Sequence, residues 1–102
     1  MKKPVLIGIA LLASQAAWAQ ANTVSPPGRL LASNCFQCHG TNGRAVGGFE
    51  RLAGESSKEI AGELKEMKAK TGEGGIMRIH ALGYTDAQIK AIGDYFATQT
   101  SR

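Results

Sequence analysis

Hydrophobic positions along this chain change period several times. Val5 to Ala13 (VLIGIALLA) is one unbroken apolar run. After a loose lead-in, Pro26 and Pro27 suit the first turn of a helix. From Gly28 the stretch GRLLASNCFQCHG predicts a short helix ending near Gly40. Thr41 to Glu55 reads as a loop, because Gly43, Gly47, Gly48 and Gly54 break any period. Ser56 with Glu59 forms a capping-box pattern that opens a second helix. Its apolar face holds Ile60, Leu64 and Met67, Glu66 and Lys70 pair on the wet side, and it ends at Gly72. Gly72 to Tyr84, with Gly74, Gly75 and Met77, reads as a second loop. Thr85 with Gln88 caps a last helix that reaches about Gln99 and turns Ile89, Ile92 and Phe96 inward. Nothing repeats and no segment alternates like a strand, so the fold class is all-α with three or more helices.

The first apolar run carries an address rather than a core. It is too short to span a bilayer, which takes about 20 residues. Lys2 and Lys3 precede it, and Ala17-Trp18-Ala19 gives a small-x-small cleavage site. Residues 1–19 are therefore expected to be an export signal, with Gln20 as the new N-terminus and cleavage after Ala21 as the competing site. The opposing reading of the run is an uncleaved anchor. With cleavage, residues 20–102 form one domain in the periplasm, without stable membrane insertion.

Export changes the charge and the size. The chain has 102 residues and a formal charge of +4, from twelve basic and eight acidic residues. Loss of Lys2 and Lys3 leaves ten basic against eight acidic, a charge of +2. Basic residues are scattered among acidic ones without a stripe or interleaved aromatics, which speaks against nucleic-acid binding. An exported domain this small, with only 6 % aromatic residues, has a thin core and needs a staple. A disulfide between its two cysteines, Cys35 and Cys38, would close too small a loop to supply one.

Cys35-Phe36-Gln37-Cys38-His39 carries the chemistry. On a helix, spacings of three and four put both thiols and the imidazole on one face. Two thiols can add across the two vinyl groups of a haem while the imidazole ligates the iron from the same side. That is the physical sense of CxxCH as a c-type haem attachment. A redox dithiol would want a βαβ setting, and a zinc site would want a second cysteine pair. His39 could also be an incidental surface residue. The expected cofactor is one covalently bound haem c, which would also supply missing apolar bulk.

A second axial ligand separates electron transfer from ligand chemistry. The candidates are Met67, Met77 and His80. Met67 shares the inward face of Ile60 and Leu64, where methionine is usually core filler. Met77 lies in a glycine-rich segment far along the chain from His39, able to close over the opposite haem face. Its soft, neutral thioether favours the ferrous state. His80 is the competitor and would give a bis-imidazole centre of lower potential.

At this point the chain resembles a small class I cytochrome c. The resemblance rests on LLASNCFQCHG, the glycine-rich Thr41–Gly48, the Met77 segment and the amphipathic C-terminal helix. More narrowly, GTNGRAVGG and IMRIHALGYTDAQIKAIGDYFATQ are similar to the haem subunit of flavocytochrome c sulfide dehydrogenase. The resemblance implies helices packed around one haem, Cys35 and Cys38 as thioether anchors, His39 as proximal ligand and Met77 as distal ligand. It also implies that the Leu31 helix packs against the Ile92–Phe96 helix. In the class a backbone carbonyl orients the proximal imidazole, and many relatives carry proline where Gly48 stands, so this loop is less preset. Subfamily members often carry two haems, whereas this chain has one CxxCH.

The expected function is a periplasmic monohaem electron carrier rather than an enzyme. Iron with six ligands has no vacant position for substrate. The expected partners are redox proteins, among them a flavoprotein that oxidises reduced sulfur. The rivals are a dithiol–disulfide enzyme using Cys35 and Cys38, and a haem sensor with an open sixth position.

Overall fold

The structure is a computed structural model that describes residues 1–4, 26–72 and 75–101. The cleavage site, and all but the first four residues of the expected export signal, lie outside the described residues. So does Gly74.

The described chain is helical, without strands. The elements are α1 (Arg29–Ala32), α2 (Phe36–His39), α3 (Ser57–Ala69), α4 (Gly75–Leu82) and α5 (Asp86–Ala97). The single helix expected over Gly28–Gly40 is divided, since a 3₁₀ turn at Ser33–Cys35 joins α1 to α2. The cause is local. The Ser33 hydroxyl donates to the Leu30 carbonyl at 2.6 Å, competing for a helical acceptor and tightening the turn.

A larger correction concerns Gly72–Tyr84, expected as a loop and found to contain α4. Gly72, at φ 77°, stands ahead of the helix, Gly75, at φ 57°, is its first residue, and Gly83 follows its last. Between Ile76 and Leu82 there is neither glycine nor proline. Met77 and Ala81 recur at i,i+4, and both pack on the core. The Gly83 N–H then bonds the His80 carbonyl at 3.0 Å and closes the helix.

The two predicted caps form. The Ser56 hydroxyl accepts from the Glu59 N–H at 3.1 Å, but the Glu59 carboxylate returns to that hydroxyl instead of the backbone. Thr85 and Gln88 make the full reciprocal box, at 3.2 and 2.9 Å. The Glu66–Lys70 pair is present at 3.6 Å.

The core centres on α5. Its Ile89, Ile92, Tyr95 and Phe96 are buried with Ile60 and Leu64 of α3, Ala32 of α1 and Ala81 of α4. Phe96 meets the rings of Phe36 and Tyr95 edge-on, at centroid distances of 6.2 and 5.6 Å. α1 lies against α5, as the resemblance implied. Gly28 allows that approach: at φ +79° it places its α-carbon so close that a Cβ would fall 2.2 Å from the Ala91 carbonyl oxygen. The core is as thin as composition foretold, with Phe96, Ile89 and Ile92 its largest fully buried side chains.

Candidate functional site

α2 ends on His39, and Gly40 reverses the chain at once with φ 82°. The loop that follows is pinned by backbone bonds. The Gly43 carbonyl accepts from Leu52 and Ala53, and the Gly54 N–H reaches the Phe96 carbonyl. Arg44 ties the same loop to the C-terminal residues, donating from Nε to the Thr100 carbonyl (3.1 Å) and from Nη2 to its hydroxyl (2.8 Å). The Tyr95 hydroxyl reaches the Asn42 side-chain oxygen at 2.5 Å.

This bracing delivers the Glu50 carbonyl to His39 Nδ1 at 2.6 Å. A carbonyl can only accept, so Nδ1 carries the proton and Nε2 is left with its lone pair for a metal. The orienting carbonyl thus comes from Glu50, two residues beyond Gly48. The resemblance implied such a carbonyl near Gly48 without naming its residue, since a backbone acceptor has no residue signature. Phe49 stands edge-on to the imidazole, ring centroids 6.2 Å apart.

Both cysteines are free thiols. Cys35 is half-buried, and burial pushes its thiol pKa up. A catalytic dithiol needs the opposite shift, toward thiolate. Nor do the described residues gather three or more His, Cys, Asp or Glu side chains able to hold a metal such as zinc.

α2 and α4 make no extensive contact with each other. A cleft of about 180 Å³, open to solvent, lies between them. Cys35, Cys38 and His39 line it from one segment, Ile76, Met77 and His80 from the other, and Leu64 and Ile92 from the core. A second, smaller space, of about 60 Å³, shares Cys35, His39, Leu64, Met77 and Ile92 with the first. Of the three candidates for a distal ligand, Met77 alone lines both spaces, whereas His80 lines the first and Met67 the second. Met77 is half-buried against the core, while His80 is exposed.

The residues present fit a haem. Two thiols and a preset imidazole converge on a slot whose lining is otherwise mainly apolar. Part of that lining is uncovered in the protein alone: Ile76 is 69 % exposed and Phe49 58 %. An apolar macrocycle in the slot would remove such surface from water. Sequence reasoning missed Phe49, Ile76, and the hydrogen bond from Asn34 Nδ2 to the Tyr84 hydroxyl at the same cleft. None of these has a spacing signal.

Residues 27–100 match the family model described as cytochrome c. The chain belongs to the cytochrome c family. It is 31 % identical over 75 residues to the cytochrome subunit of sulfide dehydrogenase from Chlorobaculum tepidum, covering 74 % of this chain and 68 % of that one. It is 36 % identical over 69 residues to the thiosulfate dehydrogenase electron acceptor of Thiomonas intermedia, covering 64 % of this chain and 32 % of that one. The chain thus spans about a third of the second relative's length. This cytochrome c is a class I, all-α protein, an electron carrier rather than an enzyme, and its family implies covalently bound haem c. Among the described residues no helix is long and apolar enough to cross a membrane.

Proposed function

We propose that this cytochrome is exported by residues 1–19, that the domain of residues 20–102 works in the periplasm with a single haem, and that it passes electrons singly between redox proteins. Cys35 and Cys38 would hold the haem through thioethers, and His39 and Met77 would ligate its iron. The observation that carries this reading is the cleft itself, with CxxCH on one segment and Met77 on the other, between elements that barely touch.

When bound, the haem supplies one-electron exchange between ferrous and ferric iron. The protein's own residues do the rest. The Glu50 carbonyl holds the Nδ1 proton and fixes the imidazole's aim, so His39 Nε2 needs no reorientation. The Met77 thioether would ligate the iron from the α4 side and keep water from it. Leu64 and Ile92 keep the site dry, which preserves packing in both oxidation states. With a net chain charge of +2, long-range steering of partners is modest.

The partner in this reading is a dehydrogenase of reduced sulfur compounds, with a flavoprotein subunit as the electron donor. The names of the two relatives support the dehydrogenase, and the flavoprotein rests on the resemblance alone. The test is the near-infrared absorption of the ferric protein, a weak band that accompanies methionine sulfur on iron. Met77→Ala is expected to abolish it. Survival of the band would move the ligand to Met67, and a parent protein that lacks the band and shows a bis-imidazole spectrum would move it to His80.

A further inference from the structure

The two sides of the cleft are joined in a way that the ligand set does not explain. Asn34 stands immediately before Cys35. Tyr84 lies two residues beyond α4, in the corner that leads to α5. The Asn34 side-chain amide donates to the Tyr84 hydroxyl at 2.9 Å, and that hydroxyl points on to the Leu31 carbonyl at 3.5 Å. Among the described residues, every hydrogen bond between residues 26–50 and residues 75–85 runs through this one hydroxyl.

Tyr84 is held from behind as well. Its carbonyl accepts from Lys68 Nζ at 2.6 Å, and Lys68 lies 4.0 Å from Asp86. Its N–H bonds the Ala81 carbonyl. The corner is therefore fastened to α3, and only the phenol reaches across to the anchoring segment. Both Asn34 and Tyr84 line the cleft, so an apolar occupant there shields their bond from competing water.

We propose that Asn34 and Tyr84 are positioning residues: their hydrogen bond ties the α4–α5 corner to the thiol-bearing turn and sets how firmly Met77 is held in the cleft. This rests on the reading of Met77 as distal ligand. Met77 lies on the helix that ends at this corner, and α4 otherwise packs mainly on α3. Losing the bond lets α4 move away from the anchoring segment more often, while the phenyl ring still fills its place.

The test uses the ferric holoprotein titrated with imidazole, followed by loss of the near-infrared sulfur band. Tyr84→Phe and Asn34→Ala should each keep the haem and the band, yet yield to imidazole at about fivefold lower concentration, the size expected for one net hydrogen bond. The double variant should shift no further than Tyr84→Phe alone, because that variant already removes the bond to Asn34. Asn34 is exposed, so its variant answers the question even if Tyr84→Phe folds poorly. Midpoints equal to the parent's in both single variants overturn the proposal, as do shifts that multiply in the double variant. Met77→Ala separates the two readings: a band that survives it overturns the ligand assignment, whereas its loss with unchanged Tyr84→Phe and Asn34→Ala titrations overturns the positioning role alone.

Discussion

The two sides of the cleft are built differently. On the α2 side, the His39 imidazole, the Glu50 carbonyl, the Arg44–Thr100 bonds and the Tyr95–Asn42 bond fasten a glycine-rich loop to α5. On the other side α4 packs mainly on α3. It leaves Ile76, Ile79 and Leu82 exposed and is preceded by Gly72 at positive φ. The anchoring side is braced by hydrogen bonds to α5 and the C-terminal residues, whereas α4 rests mainly on packing against α3.

The largest effect should come from removing the anchors. Cys35→Ser/Cys38→Ser is expected to lose covalent haem entirely. Amide exchange at Ile76–Leu82 should then run at least about a hundredfold faster than at Ile89–Phe96, since local opening spans the range from near zero to global stability. Equal protection of the two helices would erase the distinction drawn above.

Next comes the anchoring side's own core. Phe96→Ala removes a fully buried ring beside Phe36 and Tyr95, and should cost about 3–5 kcal/mol in denaturant unfolding of the holoprotein. A loss near that of an exposed substitution would mean that the haem, rather than α5, organises this half.

The smallest effect is a matter of pH. Partial burial, with Glu50, Glu59 and Glu66 nearby, pushes the Glu63 carboxyl above its ordinary range. The folded state therefore disfavours the charged form, and this penalty is full above the folded pKa and absent below the unfolded one. Glu63→Gln should raise Tm slightly near neutral pH and leave it unchanged in acid below the carboxylate range, as thermal scans at the two conditions would show.

The sequence revealed most where side chains carry the signal. The Ser56 and Thr85 caps and the Ile89–Ile92–Phe96 face all stand where the sequence pattern put them. It failed at α4, where Gly72, Gly74 and Gly75 concealed a helix that begins only as they end. It left open which residue supplies the orienting carbonyl, found at Glu50, and was silent on Asn34 with Tyr84, fifty residues apart and brought together only by the fold. Local chemistry was legible, and long-range hydrogen bonds were not.

The most direct test is mass spectrometry of the protein purified from cells that attach haem to exported apocytochromes. The intact chain should begin at or near Gln20 and carry the added mass of one haem, retained after denaturation, on the single peptide that contains both Cys35 and Cys38. An unmodified peptide with two alkylatable thiols would contradict the account at its root.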